Sequence, residues 1–403
     1  VIVIDEVQTI PIKMLSLFNL AVNFLSEVCH ATVVLCSATQ PELAKTAHPL
    51  RKEPQDIIPY NKGLWDVFKR TEIQITDGRR LSDVPEICLD ALKNADSILI
   101  VCNKKAEALT LFNSFSHEDY QCFHLSAGMC TQHRRDTLNA IESALKHENN
   151  DSRKIICVST QVIEAGVDIS FACVLRFCAG MDSIVQAAGR CNRNGESASP
   201  APVFVVNCMD EQLDRLLEIK RGKEASIELF TRFNKNKDGF GGNLTSNEAI
   251  KRYYQILYGR MNVGEQDYPT NRGTLFELLG YNPVECDGKY FLRQAFKTAG
   301  DLFTVFDEDT TSVIVRYKNG REIAEKLIAE DKGYNRNYDT IDTLLREAKL
   351  YTVSMRQYEI DALEKQGSIT RLFDNSIIIL SDGFYDEATG FAVKNSADMF
   401  MEV

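Results

Sequence analysis

The sequence predicts an α/β protein of more than one domain, in which parallel sheets are flanked by helices. Three observations predict this fold. Short runs that are apolar throughout, such as Val1–Ile4 (VIVI) and Lys154–Val158 (KIICV), are typical of strands buried on both faces of a parallel sheet. Amphipathic helical patterns alternate with these strands. A chain of 403 residues with 44% hydrophobic content is long enough for two or three domains.

The composition excludes several classes of protein. The twelve cysteines form no Cys-x-x-Cys pair and fall largely in apolar strands, which indicates buried thiols in a reducing compartment, the cytoplasm. No apolar run approaches the roughly 20 residues that span a bilayer, so we expect no membrane insertion. A net charge of −11 is unfavourable for nucleic-acid binding over the whole surface, but the segment 219–260 carries nine Lys or Arg against four Asp or Glu.

The first strand is followed by the acidic pair Asp5 and Glu6. Ligands gather at the carboxyl ends of parallel strands, so this pair lies at the edge of the sheet where a site is expected. Seen alone, such a pair is more often the start of an ordinary loop, and its context decides the interpretation. The pattern then predicts a helix over Met14–Cys29 and a strand over Thr32–Cys36, which brings Ser37-Ala38-Thr39 to the same edge.

The next interval, Glu42–Asp77, is rich in proline and weak in periodicity, so we predict that it ends the first domain and forms a linker. A second α/β domain should follow. Its predicted elements are the helix Leu81–Ala95, the strand Ser97–Cys102, the helices Ala106–Phe115 and Gln132–His147, and the strands Lys154–Val158, Phe171–Phe177 and Val203–Val206.

Two loops of this second domain carry the most informative residues. Ser159 and Thr160 follow the strand Lys154–Val158, and Arg190 and Arg193 follow a short helix over Asp182–Gly189. Two guanidiniums three residues apart suit the spread negative charge of a phosphoryl group in transfer. An isolated pair of this kind is usually a pair of surface arginines. The amino-acid sequence of the preceding loop, however, favours arginines that contact a phosphoryl group.

These residues carry a resemblance to a known family. Ile163–Ile169 (IEAGVDI) and Gln186–Gly195 (QAAGRCNRNG) resemble motifs V and VI of superfamily 2 helicases, in particular the CRISPR-associated helicase-nucleases of type I interference systems. The acidic pair resembles motif II (Walker B), and Ser37-Ala38-Thr39 resembles motif III. The resemblance implies two RecA-like domains, of which the first is partial here and the second complete.

The resemblance also implies a set of site residues and the cofactors ATP and Mg²⁺. Asp5 would hold the metal, and Glu6 would act on the attacking water. Arg190 and Arg193 would act as arginine fingers on the γ-phosphate, while Gln186, Gly166 and Asp168 would lie at the nucleotide. The residues implied to contact the nucleic acid or to couple it to the nucleotide are Ser37, Thr39, Ser126, Thr160 and Gln161.

Two interpretations of surface residues stay open at this point. His133 and Arg134 lie near the nucleic-acid backbone according to the resemblance, but a helix there would equally place them on a solvated face. The basic segment interleaves aromatics with Lys235, Lys237, Lys251 and Arg252, which is the pattern of a single-strand channel, and also that of helices with an aromatic core face and solvated cations. The interleaved aromatics are Phe230, Phe233, Tyr253, Tyr254 and Tyr258.

The predicted domain order is a first RecA-like remnant over 1–70, a second RecA-like domain over 71–209, a helical extension over 210–300 and a separate accessory α+β domain over 301–403. In the last of these we predict strands over Ser312–Tyr317 and Ser376–Leu380, with helices over Arg321–Glu330 and Tyr338–Ala348. Its closing stretch, SDGFYDEATGF, resembles the C-terminal domain of the type I family, particularly subtype I-C.

The sequence contains neither a Gly-x-x-x-x-Gly-Lys-[Ser/Thr] phosphate loop nor a His-Asp dipeptide of the nuclease domain common in the family. We therefore expect the C-terminal part of a longer ATP-dependent translocase that moves along single-stranded DNA in CRISPR interference. The implied partners are the displaced target strand and the surveillance complex. Rival hypotheses are another superfamily 2 motor, such as an RNA helicase or restriction translocase, and a non-catalytic nucleic-acid-binding module.

Overall fold

The computed structural model describes residues 1–59, 63, 68–147, 151–164, 166–280, 282, 294–305, 310–333 and 336–391. The chain folds as predicted into an α/β protein with a large parallel sheet flanked by helices. It divides into two compact units. The first comprises Val1–Lys69, Cys178–Ala188 and Glu211–Asp307, and the second comprises Arg70–Phe177, Gly189–Asp210 and Glu308–Val403.

The regular elements are numbered in chain order. The strands are β1 (Ile2–Ile4), β2 (Val33–Leu35), β3 (Thr71–Arg79), β4 (Ser97–Val101), β5 (Gln121–Leu125), β6 (Ile155–Ser159), β7 (Cys173–Phe177), β8 (Ala201–Cys208), β9 (Pro269–Thr270), β10 (Gly273–Thr274), β11 (Thr310–Ile314), β12 (Thr352–Arg356), β13 (Ile369–Leu372) and β14 (Ile377–Leu380). The helices are α1 (Leu15–Glu27), α2 (Val84–Ala91), α3 (Lys105–Ser114), α4 (Thr131–Leu145), α5 (Met181–Ala188), α6 (Leu217–Lys235), α7 (Asn247–Gly259), α8 (Val263–Gln266), α9 (Leu275–Leu279), α10 (Phe296–Leu302), α11 (Asn319–Lys332), α12 (Tyr338–Ala348) and α13 (Gln357–Lys365).

The first unit contains the parallel pair β1 and β2, with Ile2 opposite Val33, and helix α1. The elements predicted around residues 14–36 are therefore present, and their ends differ by one or two residues. Asn19 anchors α1, because its buried side-chain amide donates to the carbonyl of Leu43 (3.1 Å) and to Oγ1 of Thr46 (2.8 Å). None of the helices in the described part of the chain is long and apolar enough to cross a membrane.

The second unit is built on a six-stranded, wholly parallel sheet in the order β3-β8-β7-β4-β6-β5. Every residue of β4, β6 and β7 is buried, which explains why these strands are apolar almost throughout. Their carboxyl ends lie at one edge of the sheet and lead into the loops with the candidate site residues. This edge is where parallel α/β sheets place their ligands.

Strand β3 corrects the linker interpretation of Glu42–Asp77. Thr71–Arg79 is an edge strand that pairs in parallel with β8. Ile73 and Ile75 alternate with polar side chains, as suits a strand with one neighbour and one partly solvated face, and the surrounding prolines and Gly78 outweigh this short signal in the sequence. Residues 60–62 and 64–67 of the interval lie outside the described residues.

The C-terminal region has its own four-stranded mixed sheet in the order β12-β11-β14-β13, packed with α11, α12 and α13. The predicted strands and helices are present, and the region adds β12, α13 and β13 to them. The core of this region includes Cys130 from the loop before α4, and the region belongs to the second unit. The separate accessory domain stays a prediction. Residues 392–403 lie outside the described part.

Candidate nucleotide and nucleic-acid site

The acidic pair lies where the sequence places it, at the carboxyl end of β1. Asp5 and Glu6 are exposed, and Glu6 adopts a left-handed backbone conformation (φ 52°) in which its N–H donates to Oδ1 of Asp5 (2.9 Å). An exposed carboxylate is a suitable oxygen ligand for Mg²⁺. Within the residues that the structure describes, no group of three or more His, Cys, Asp or Glu side chains could hold a metal ion.

Glu6 is connected to Ser37 and Thr39 through Gln8. The side-chain amide of Gln8 donates to the Glu6 carboxylate, and the Gln8 side-chain oxygen accepts from the Ser37 hydroxyl. Ser37 Oγ in turn accepts from the N–H of Thr39 (3.0 Å). A change at the Glu6 carboxylate can thus reach the motif III loop through one side chain. Gln8 is not among the predicted site residues, although it follows the acidic pair by only two positions.

Helix α5 brings Gln186 to the same carboxylate. Nε2 of Gln186 lies 3.5 Å from Oε2 of Glu6, although the two residues are 180 positions apart in the sequence. The contact lies within the first unit. Two residues that the resemblance assigns to one nucleotide site are therefore neighbours, and the Glu6 carboxylate accepts hydrogen bonds from two amides.

Helix α7 is tied to the same group of residues by two buried tyrosines. The Tyr254 hydroxyl donates to the carbonyl of Thr39 (3.3 Å), and the Tyr253 hydroxyl donates to Oδ1 of Asp182 (3.2 Å). Burial raises the pKa of both phenols, so both stay protonated and act as donors. The helical segment thus contacts the motif III loop and the first turn of α5 directly.

The two arginines that follow α5 have different surroundings. Arg190 is buried, and its guanidinium donates from Nε to the carbonyl of Ile163 (3.0 Å) and from Nη2 to the carbonyl of Glu164 (2.6 Å). In this conformation Arg190 holds the turn of motif V. Its expected contact with a γ-phosphate stays a prediction.

Arg193 lies at the surface of the second unit. Its Nε is 2.5 Å from Oδ1 of Asp168, and its backbone N–H donates to Oγ of Ser170 (3.0 Å). The Arg193 side chain is 39% exposed and that of Asp168 is 84% exposed. Gly166 precedes this pair in a left-handed conformation (φ 71°) that favours glycine. Arg193, unlike Arg190, is open to an incoming anion.

A buried arginine outside the predicted site residues lies beneath these loops. Arg176, on β7, is fully buried, and its Nε is 2.9 Å from Oε1 of Glu164. Its Nη1 donates to Oδ1 of Asn103 (2.6 Å) and to the carbonyl of Phe177 (2.9 Å). The signal in the sequence is a charged residue inside an otherwise apolar strand, which requires a buried partner.

The remaining coupling residues differ in accessibility. Ser126 and Thr160 are buried, whereas Gln161 is exposed. Ser126 Oγ accepts from the N–H of Gly128 (3.2 Å), and the N–H of Thr160 donates to the carbonyl of Leu125 (3.1 Å). In this conformation Gln161 is the member of this set whose side chain can reach a nucleic acid directly.

His133 fits neither of its two interpretations. It is buried, with Nδ1 2.9 Å from the Tyr385 hydroxyl and its ring stacked on Tyr317 at 4.3 Å between centroids. Burial lowers the pKa of its imidazole. His133 therefore joins α4 to the C-terminal region, and it lies neither on a solvated face nor at an exposed nucleic-acid path. Arg134 beside it is half-buried.

In the basic segment the structure separates the aromatic residues from the cations. All five aromatics are buried, so they form core faces and are not available to stack on bases, which corrects the stacking part of the channel interpretation. The buried rings are Phe230, Phe233, Tyr253, Tyr254 and Tyr258.

The nine cations of the segment fall into two groups. Five form ion pairs with Asp or Glu side chains, namely Lys220, Arg221, Lys223, Arg232 and Arg260. The other four are exposed and have no ion-pair partner among the described residues, namely Lys235, Lys237, Lys251 and Arg252. These four cations are the ones that a polyanion could reach without breaking an existing pair.

Known proteins resemble this chain over stretches that include many of the candidate site residues. A family model described as CRISPR-associated nuclease/helicase Cas3, C-terminal, matches residues 94–196. The CRISPR-associated nuclease/helicase Cas3 of Methanothermobacter thermautotrophicus is 23% identical over 244 residues, which cover 57% of this chain and 28% of that protein.

Two solved structures show the same fold. The crystal structure of T. fusca Cas3 with AMPPNP aligns with a TM-score of 0.64 and 15% identity, over 97% of this chain and 53% of that chain. A chain of a CRISPR RNA-guided surveillance complex in a pre-nicking state aligns with a TM-score of 0.54 and 15% identity, over 96% of this chain and 56% of that chain. The present chain thus spans about half the length of these solved proteins.

The predicted resemblance to the CRISPR-associated helicase-nucleases is confirmed, while the assignment to subtype I-C stays a prediction. The family model covers the stretch from β4 to motif VI, and the alignments with solved structures extend over nearly the whole chain. The motif residues, the fold and these matches together show that the chain resembles the C-terminal part of the CRISPR-associated nuclease/helicases Cas3.

Proposed function

We propose that this chain is part of a Cas3-type motor that uses ATP and Mg²⁺ to move along single-stranded DNA in CRISPR interference, an antiviral defence. The observation that carries the proposal is the contact between Gln186 and Glu6, which joins a motif VI residue to a motif II residue. If the two motifs did not serve one site, no such contact between their residues would be expected.

In this proposal Asp5 and Glu6, both in the first unit, have different tasks. Asp5 would hold Mg²⁺, which would supply positive charge to the nucleotide phosphates. Glu6 orients the attacking water, and the amides of Gln8 and Gln186 fix the direction of its carboxylate. Positioning of this kind provides most of the catalysis in phosphoryl transfer.

Arg193 is the guanidinium that we assign to the γ-phosphate. It is half-exposed, and its present partner Asp168 is largely solvated, so exchange of that carboxylate for a phosphate would break a weak, screened ion pair. Arg190 would reach a phosphate only if it left the two buried carbonyls that it now satisfies. We therefore assign Arg190 mainly to the motif V turn.

A phosphate loop is also required, and the 403 residues contain none. Such a loop cradles the β- and γ-phosphates with backbone N–H groups and a lysine. We propose that it is contributed by sequence outside these residues, and that the present chain alone does not hydrolyse ATP.

The proposed partner of the basic segment is the phosphate backbone of single-stranded DNA. The four exposed cations without ion-pair partners can neutralise phosphates, and the five buried aromatics of this segment are not available to stack on bases. Binding should therefore be sensitive to salt and indifferent to sequence. The match to the Cas3 C-terminal family model and the alignment with a chain of a surveillance complex support that complex as the protein partner. We assign the displaced target strand as the substrate.

A translocation assay tests this function. The chain is combined with the N-terminal part of a Cas3 protein that carries a phosphate loop, and displacement of streptavidin from biotinylated single-stranded DNA is measured with ATP. We expect displacement by the combination and none after Glu6→Gln. DNA binding without displacement, unaffected by Glu6→Gln, would favour a non-catalytic nucleic-acid-binding module and contradict the motor.

A further inference from the structure

Arg176 is the largest side chain that the sheet buries completely. A guanidinium without solvent costs free energy unless every donor has a partner, and an apolar residue on β7 would avoid that cost. The neighbours of Arg176 on this strand are apolar and fully buried. The arginine therefore needs an explanation other than packing of the strand.

The contacts of Arg176 extend over three adjacent strand ends. Arg176 lies on β7, Asn103 follows β4, and Glu164 follows β6, and these three strands are neighbours in the order β7-β4-β6. Through the Nε–Oε1 distance of 2.9 Å to Glu164, the arginine holds the turn after β6. That turn contains the motif V residues, including the exposed Gln161.

The same turn is held from a second direction by Arg190. Its guanidinium donates to the carbonyls of Ile163 and Glu164, at 3.0 and 2.6 Å. Glu164 is thus fixed by its side chain through Arg176 and by its backbone through Arg190. The turn itself is closed by the N–H of Glu164, which donates to the carbonyl of Gln161 (3.0 Å).

We propose that Arg176 and Glu164 form a buried positioning pair that fixes the motif V turn, residues 160–164, in the conformation that contacts single-stranded DNA. This assignment rests on the proposed function for its DNA contact. Its geometric part, that the pair orders the turn, stands independently. Neither residue touches the nucleic acid; both act through the turn that carries Gln161.

The test uses the full chain with Glu164→Gln, Arg176→Met and the double variant. Each single variant leaves one buried group without its partner, and the unfolding midpoint should fall by about 6–20 °C. The double variant removes both charges and should regain most of that loss. Glu142→Gln is the matched control, because it removes a carboxylate that pairs with Lys146 at the surface.

Binding of a fluorescent oligothymidylate separates positioning from charge and from stability. Removal of the Glu164 carboxylate makes the protein less negative, so electrostatics alone predicts unchanged or tighter binding, as we expect for Glu142→Gln. The positioning pair predicts binding weakened about tenfold by Glu164→Gln, and still about tenfold weaker in the double variant after its midpoint has recovered. Wild-type affinity in a stable double variant would overturn the proposal.

Amide hydrogen exchange tests the geometric part without a ligand. The N–H groups of Ile163 and Glu164 should exchange about tenfold faster in the double variant, while amides in β4 and β6 remain protected. Unchanged protection of these two amides would overturn the pair as a positioning element. If the unsubstituted chain does not bind DNA, the proposed function fails, and the exchange measurement still decides the role of the pair.

Discussion

Nε of Arg193 lies 2.5 Å from Oδ1 of Asp168, and both side chains are open to solvent. Arg190, three positions earlier, is buried and bonded to backbone carbonyls. The two arginines of one motif thus differ in what a substitution removes. Loss of Arg193 removes an exposed, screened ion pair, whereas loss of Arg190 leaves two buried acceptors without their donor.

We predict that Arg193→Ala lowers ATP turnover in the complemented motor by about 10³- to 10⁵-fold, the usual contribution of an arginine finger. Its unfolding midpoint should stay within about 2 °C of the unsubstituted protein, because exposed ion pairs contribute little to stability. Arg190→Ala should lower the midpoint as well as turnover, because the motif V carbonyls lose their donor. Single-turnover hydrolysis and thermal unfolding measure the two effects. Equal loss of midpoint in both variants would contradict the division of roles.

We predict that single-stranded DNA binding depends on the cations without ion-pair partners. The triple substitution of Lys235, Lys251 and Arg252 by Gln should weaken binding and reduce the slope of log affinity against log salt by roughly 0.7 for each DNA phosphate that is no longer neutralised. The control substitutes Gln for Lys220, Arg232 and Arg260, which are ion-paired, and changes the net charge equally. Fluorescence anisotropy over a salt series measures both. If the two triple variants behave alike, net charge and not position determines binding.

The first unit exposes an apolar stripe. Leu20, Phe24 and Val28 are 43%, 54% and 63% exposed at a spacing of four residues, so they share one face of α1 and its continuation, and Val3 on β1 is 64% exposed. We predict that the purified chain self-associates in a concentration-dependent manner and that Phe24→Ser with Val28→Ser reduces this association. Sedimentation velocity measures it, with Leu89→Ser in the second unit as control. A chain that is monomeric at all concentrations would rule this prediction out.

His124 provides a pH dependence of stability. Burial, with a smaller effect of His133, lowers the pKa of its imidazole from 6.5 to about 4, although Asp386 acts in the opposite direction. Because the unfolded state binds the proton more readily, stability is complete above pH 6.5 and falls as the pH decreases toward 4, by about 3 kcal/mol in total. Unfolding by urea at pH 7 and pH 5 should show about 2 kcal/mol of this loss, and His124→Gln should reduce it. An equal pH dependence in the variant would contradict this role of His124 and assign the loss to other groups, such as His133.

Much of the fold can be predicted from the sequence because buried parallel strands are apolar throughout. The strands β4, β6, β7 and β8 and the helices between them are recognisable in this way. The sequence does not predict strand β3. In an edge strand with one solvated face, apolar and polar residues alternate, and here they do so over only a few residues. The order of the strands, by contrast, is a property of the three-dimensional fold and has no local signal.

The candidate site is predictable to the extent that its motifs are contiguous. Asp5, Glu6 and Arg193 lie at exposed ends of elements, as the motifs indicate. The network of Arg176 with Glu164 and Asn103 joins residues that are 12 to 73 positions apart, and no spacing rule reveals such a contact. The aromatics of the basic segment are ambiguous in the sequence because core faces and stacking surfaces share one periodicity.

The motor assignment is tested most directly by the ATP turnover of the purified chain with single-stranded DNA. Turnover is measured for the chain alone and together with a Cas3 N-terminal part that carries a phosphate loop. We predict no turnover by the chain alone, DNA-stimulated turnover by the combination, and loss of that turnover after Glu6→Gln or Arg193→Ala. Turnover by the chain alone that Glu6→Gln abolishes would reveal a phosphate site within these 403 residues. Turnover by the combination that survives both substitutions would contradict the assignment of the motor residues.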